Sequence, residues 1–337
     1  MQLKPIDQQV VVVFGASSGI GRETALRFAQ RGAKVVVAAR SAQGLDSLVH
    51  DIRRMDCEAI AVPADAADFE QVKAVADRAV AEYGRLDTWV HAAAVSLYAP
   101  FEQTKPEEFK RIVDINLIGQ AYGAMAALPH LKREGRGALI HISSVEARRS
   151  LPYQSAYAAS KHGIEGFLDA LRLELKHQGS SISVTNVMPA SINTPLFSKA
   201  RTRLGVKPMG VPPIYEPGVV ADLILHAAAH PTRELVAGGT GRALILAQKI
   251  APQLVDAYLL RRGFESQRTT EPKSEDAPSN LFKPIEGYDT TEGDFGDQAR
   301  GSANNWFEQR PIIKWGSIAA AVGAVALLTA RAVRSSR

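Results

Sequence analysis

Apolar and polar positions along the chain switch between two periods, and the switching predicts the elements. Residues 10–14 form a Val-rich run closed by Gly15, the pattern of a strand buried on both faces. A helical period follows to about Arg31. Further strands are predicted at 34–39, 58–62, 87–93, 138–142 and 182–187, with a short last one at 235–237. Helical periods fall at 69–83, at 107–133 with an interruption near Asn116, at 155–175 and at 217–230. Strands that alternate with helices imply parallel pairing through right-handed crossovers. The expected fold class is therefore α/β, a Rossmann-like doubly wound parallel sheet of about seven strands with helices on both faces.

Beyond 237 the pattern changes twice. Residues 241–262 read as one extra amphipathic helix. Residues 264–310 hold ten acidic against five basic residues, with Gly, Ser, Thr, Pro and Asn throughout, and predict an extended or disordered polar linker anchored by Trp306 and Phe307. Sixteen uncharged residues then run from Trp315 to Ala330, flanked by Lys314 and Arg331. Counted over 311–333, the stretch approaches the roughly 20 apolar residues a bilayer needs and predicts a hydrophobic, membrane-spanning or interfacial helix. The domains expected are thus 1–262, a catalytic unit; 263–310, the linker; and 311–333, the membrane segment.

Composition narrows the function. At 337 residues and 46% hydrophobic content the chain is ordinary globular material. Its net charge of +5 is dispersed, with no aromatic-studded basic run, which argues against nucleic acid as a partner. The single cysteine, Cys57, rules out an internal disulfide, and no compact His/Cys cluster offers a metal site. No basic-then-apolar leader opens the chain, so the catalytic unit is expected in the cytoplasm.

The candidate chemistry lies at the ends of the predicted strands. Gly15-Ala16-Ser17-Ser18-Gly19-Ile20-Gly21 sits between a strand and a helix, the context in which glycines cradle a phosphate against free helix N–H groups. The second strand ends at Ala39-Arg40 with no carboxylate. An acid there would suit a free ribose 2′-hydroxyl, whereas Arg40 suits a 2′-phosphate, so NADP is expected over NAD. Arg22 is either a second cation for that phosphate or a solvated helix residue. Asp65, just past the third strand, is either an adenine contact or a turn residue. Tyr157 and Lys161 stand four apart on one helix and share a face. Ser143 and Ser144 emerge from the fifth strand, and alternation allows only one of them to face Tyr157. Residues 190–215 form a long Pro- and Gly-bearing connection, the natural substrate lid.

Gly-Ala-Ser-Ser-Gly-Ile-Gly at 15–21, Asn116 within Asp-Ile-Asn-Leu, Ile-Ser-Ser at 142–144 and Tyr-Ala-Ala-Ser-Lys at 157–161 together resemble the short-chain dehydrogenase/reductase superfamily, single-domain type, over about residues 10–239. The resemblance implies that Ser144 orients the substrate oxygen and Tyr157 transfers the proton. It implies that Lys161 holds the nicotinamide ribose and lowers the Tyr157 pKa, and that Asn116 supports a water relay. Implied cofactor contacts are Gly15, Ser17, Ser18, Gly19, Ile20, Gly21, Arg40, Asp65, Ala93, Tyr157, Lys161, Pro189 and Thr194. Two departures stand out. His91-Ala92-Ala93-Ala94 replaces the usual Asn-Asn-Ala-Gly, removing an Asn that ties strands and placing Ala94 where a glycine at positive φ is expected. Pro189-Ala190 replaces Pro-Gly. The function expected is an NADP(H)-dependent interconversion of an alcohol and a carbonyl on a small or lipid-like substrate, by a membrane-attached homo-oligomer. The alternatives are a non-catalytic dinucleotide-binding sensor or scaffold and, more distantly, an epimerase or dehydratase.

Overall fold

The computed structural model describes residues 2–310 and residue 313. In chain order the first half comprises β1 (Val10–Phe14), α1 (Gly19–Gln30), β2 (Lys34–Ala39), α2 (Ala42–Arg53), β3 (Ala59–Pro63), α3 (Phe69–Tyr83), β4 (Thr88–His91), β5 (Leu97–Tyr98), α4 (Pro106–Val113), α5 (Gly119–Arg133) and β6 (Gly137–Ile142). The second half comprises α6 (Ser155–His177), β7 (Ile182–Pro189), α7 (Leu196–Lys199), β8 (Arg201–Thr202), β9 (Val206–Pro208), β10 (Ile214–Tyr215), α8 (Pro217–Ala229), β11 (Glu234–Ala237), α9 (Gly239–Ile250) and α10 (Pro252–Arg262). β12 (Arg268–Pro272), β13 (Ala299–Arg300) and α11 (Asn304–Glu308) follow.

Seven strands form one sheet in the order β11-β7-β6-β4-β1-β2-β3, and each neighbouring pair is parallel. Side chains of β1 alternate between two cores. Val11 and Val13 pack with Phe28, Leu48 and Ile224 on the face covered by α1, α2 and α8. Val12 and Phe14 pack with Trp89, Leu139, Ile164 and Leu168 on the face covered by α3, α5 and α6. A sheet buried on both faces requires the Val-rich strands the sequence carries. The connections diverge between β1 and β4, so the strand ends there open a crevice where such sheets bind ligands.

Several helix ends are fixed locally. Asp68 caps α3 by accepting from Gln71 N–H at 3.1 Å, and Gly84 closes it at φ +77°. The one long helix expected over 241–262 is instead two. Pro252 has no N–H to continue the ladder, and Ala251 before it is driven to φ −142° and ψ 65°.

The larger correction concerns 263–310, which does not behave as a disordered linker. It is a strap packed across the strand-end crevice. β12 pairs antiparallel with β9, and β13 pairs parallel with β10. Leu281 and Phe295 are buried, and Phe295 N–H donates to Asn193 Oδ1 at 3.0 Å. Asp294 receives Lys207 and the Ser198 hydroxyl, both at 2.6 Å. Trp306 and Phe307, expected as its anchors, are each somewhat less than half exposed. Asn304 and Asn305 donate at 2.7 Å to the carbonyls of Val236 and Val219. Composition misleads here because the strap docks through backbone and ion-pair contacts rather than a continuous apolar face.

The membrane segment expected at 311–333 lies outside the described residues, Ile313 excepted. Among the described residues no helix is long and apolar enough to cross a membrane.

Candidate active site

The glycine turn lies flat against the neighbouring strand. A side chain at Gly15, which sits at φ +91°, would collide with the Ala93 backbone, and one at Gly21 would collide with the Gly15 carbonyl. Helix α1 therefore starts immediately behind the turn with its first N–H groups at the crevice, where Gly19 N–H is taken by Thr290 O. Ser17, Ser18, Gly19, Ile20, Arg40, Asp65, Ala93, Pro189 and Thr194 all line the same cleft, together with Ser144, Tyr157 and Lys161. Its empty space is about 1500 Å³, solvent at the mouth included, which is room for an extended dinucleotide. A glycine cradle that any Cβ would fill, a helix start behind it and a guanidinium at one end fit such a cofactor.

Two residues of that end behave differently from expectation. Arg22 is neither solvated nor free for a phosphate: its buried guanidinium donates to Gly44 O, Ser47 Oγ and Asp51 Oδ2, joining α1 to α2. Asp65 faces the cleft, but its carboxylate is engaged by Arg111 at 2.5 Å and by Ala67 N–H at 3.0 Å.

At the other end, Tyr157 and Lys161 project from the first turns of α6, and both are buried. Ser144 leaves the end of β6 beside the Tyr157 phenol, whose pKa it pulls downward. The Ser144 oxygen accepts from Glu146 N–H at 3.1 Å, which leaves its proton for an acceptor in the cleft. Lys161 Nζ donates to Ile142 O at 2.9 Å and stands 5.3 Å from the Tyr157 ring centre. Burial lowers the Lys161 pKa to about 7 against the opposing pull of Glu146. Burial first, and the Glu146 charge second, push Tyr157 well above its ordinary value.

Asn116 lies in a π-type turn, Asp114–Ile118, between α4 and α5. Its amide is fully used, accepting from Val95 N–H and donating to Val95 O, both at 2.9 Å. That pair secures the segment after β4 where the usual Asn is replaced. His91 stacks on Phe14 with ring centres 5.0 Å apart, and both its nitrogens lack partners among the described residues. Ala94 is not among the residues of positive φ, so this stretch carries no glycine-specific strain. Of the other histidines, buried His141 meets Gln120 Oε1 at 2.9 Å, and His162 bonds back to Ala158 O within α6.

The lid expected at 190–215 does border the cleft, through Ser191, Ile192, Phe197, Gly210 and Val211. Sequence reasoning missed three contributors. Glu146 is fully buried beside Tyr157, and burial raises its pKa to about 8. Lys199 reaches Ser18 Oγ at 2.5 Å, and Thr290 O of the strap accepts from Gly19 N–H at 2.8 Å. No local pattern marks any of them, because each is delivered by a long-range contact.

The family model for short chain dehydrogenases matches residues 9–205. An uncharacterised oxidoreductase of Bacillus subtilis, YxnA, is 34% identical over 99% of this chain and 94% of its own length. A 3-oxoacyl-[acyl-carrier-protein] reductase of Thermotoga maritima is 32% identical over 66% of this chain and 92% of its own. Among solved structures, an alcohol dehydrogenase of Thermococcus sibiricus complexed with 5-hydroxy-NADP superposes with a TM-score of 0.60 at 22% identity, over 68% of this chain and 95% of that one. The chain belongs to the short-chain dehydrogenase/reductase family. It is an oxidoreductase.

Proposed function

We propose that the protein is an NADP(H)-dependent reductase that interconverts a carbonyl and an alcohol, with Tyr157 as the acid/base. The observation that carries this reading is the trio Ser144, Tyr157 and Lys161, buried together in the cleft that also holds the glycine turn and Arg40. Gly15, Gly19, Gly21 and Arg40 would hold the dinucleotide, and Lys161 its nicotinamide ribose. When bound, that group supplies or accepts the hydride at carbon. Ser144 then donates its free proton to the substrate oxygen, where charge develops. Tyr157 gives its phenolic proton to the same oxygen, which completes the alcohol. Tyr157, held above its ordinary pKa, is protonated at neutral pH and carries the proton that the alcohol oxygen needs. The Lys161 cation offsets the phenolate that remains. Tyr98, Leu151, Phe197 and Val211 line the substrate side and support an apolar carbonyl compound. The reading includes attachment at a lipid surface through 311–333 and pairing of copies through α5 and α6, whose outer faces expose Met125 and Leu173.

The test is Tyr157→Phe. Carbonyl reduction is expected to fall about 10³-fold, with the Kd for NADPH within threefold of wild type. Turnover that survives the substitution removes the assignment.

A further inference from the structure

The adenosine end of the cleft contains a second cation that no strand-end rule anticipates. Lys199 closes the short helix α7, some 160 residues after Arg40, and its Nζ donates to Ser18 Oγ inside the glycine turn. Arg40 stands on the same side of the cleft, and its Nη2 donates to Asn280 O at 2.5 Å. One residue of the strap braces both: Asn280 N–H donates to Lys199 O at 3.0 Å, while its carbonyl accepts from Arg40. The neighbouring carboxylate, Asp65, is already engaged by Arg111. Arg22, the residue expected to add a cation here, is consumed between α1 and α2.

Two cations fixed side by side in a partly desolvated cleft oppose each other. Burial and the Arg40 charge accordingly hold the Lys199 pKa down to about 8, with Asp289 the one acid acting the other way. A phosphate dianion placed between them would relieve that opposition and add charge-assisted hydrogen bonds.

We propose that Lys199 and Arg40 together grip the ribose 2′-phosphate of NADP(H), so that Lys199 is a second determinant of coenzyme preference, set in place by the docked strap. This rests on the reading of the cleft as an NADP(H) site. Ser18, bonded to Lys199, orients the ammonium, and Asn280 ties the Lys199 backbone to the Arg40 guanidinium. A Lys199 directed instead at the pyrophosphate, which both coenzymes share, would weaken them alike.

The experiment measures Kd by fluorescence titration for NADPH and NADH, with 2′,5′-ADP and 5′-AMP as competing probes, in wild type, Lys199→Met, Lys199→Arg and Arg40→Met. For Lys199→Met, NADPH and 2′,5′-ADP are expected to bind at least tenfold more weakly, with NADH and 5′-AMP within threefold, and Lys199→Arg to retain most of the preference. The unchanged NADH affinity also reports an intact fold; should Lys199→Met not fold, Lys199→Gln carries the same readout. Equal loss of both coenzymes, or loss of neither, overturns the proposal. Should Arg40→Met lose NADPH selectively while Lys199→Met does not, the proposal fails and the cofactor reading stands. A wild type with no preference for NADPH ends both.

Discussion

His91 occupies a position where a polar side chain would ordinarily tie neighbouring strands, yet it makes no hydrogen bond among the described residues and stacks between Phe14 and His141. Burial, followed by the charges of His141 and Lys161, holds its pKa well below the ordinary value. It is therefore neutral in the fold and titrates only in the unfolded chain, near pH ~6.5. The unfolded state binds a proton that the native state refuses, so the stability tied to this group is full above that pH and lost on acidification. Glu146, raised to about 8, works in the opposite sense between its ordinary carboxylate range and that value, so the wild-type slope alone is a mixture. The difference between wild type and His91→Asn isolates the imidazole. Chemical denaturation at pH 7.5 and at pH 5 is expected to show that difference shrink by roughly 2 kcal/mol in the acid. A constant difference would mean that His91 titrates alike in the folded and unfolded chain.

At the scale of elements, the strap changes what the cleft can do. Between Asn280 and Phe295 it touches Arg40, the glycine turn at Gly19 and, through Asn193, the segment bearing Thr194. A dinucleotide lying along that line would be covered at three points, so exchange requires the strap to lift. Leu281 is the buried pin: its side chain joins the core, and its carbonyl receives Arg40 and Arg111. Leu281→Asp is expected to speed NADPH dissociation at least tenfold in a stopped-flow displacement, with circular dichroism checking that the sheet it packs against is retained. Dissociation at the wild-type rate would show that the strap does not gate the cofactor. The sheet itself was legible from the chain because its signals are local: Val-rich runs, the glycine turn after β1, and a Tyr and Lys one helical turn apart. What Lys199, Asn280 and Thr290 do was not, since each acts through a partner a hundred or more residues away. Composition even pointed the wrong way for 263–310, because a polar segment can be held by carbonyl, amide and ion-pair contacts that leave no periodic mark. The phenol's raised pKa was hidden for a similar reason, as it depends on the depth of burial and on Glu146 rather than on the neighbouring lysine.

Over the whole molecule, one surface does not match the rest. Leu246, Ile250, Leu254 and Tyr258, four residues apart along α9 and α10, are each more than half exposed, and Leu260 joins them. Lys249, Arg261 and Arg262 stand exposed on the same two helices. Arg242 at the start of α9 pairs with Glu308 of α11 at 2.6 Å, so the chain passes Arg310 beside this hairpin before entering the uncharged run 315–330. Exposed apolar residues with exposed cations on the same two helices suit the interface of an anionic bilayer. Co-sedimentation with vesicles containing about a third anionic lipid is expected to capture the full chain, with Leu254→Asp reducing capture and removal of 311–337 reducing it further. High salt should weaken the remaining binding of the shortened chain, because its basic residues then carry more of the attraction. A full chain that stays in the supernatant would leave the exposed face to a second copy of the protein, a possibility that sedimentation velocity of wild type and Leu254→Asp would resolve.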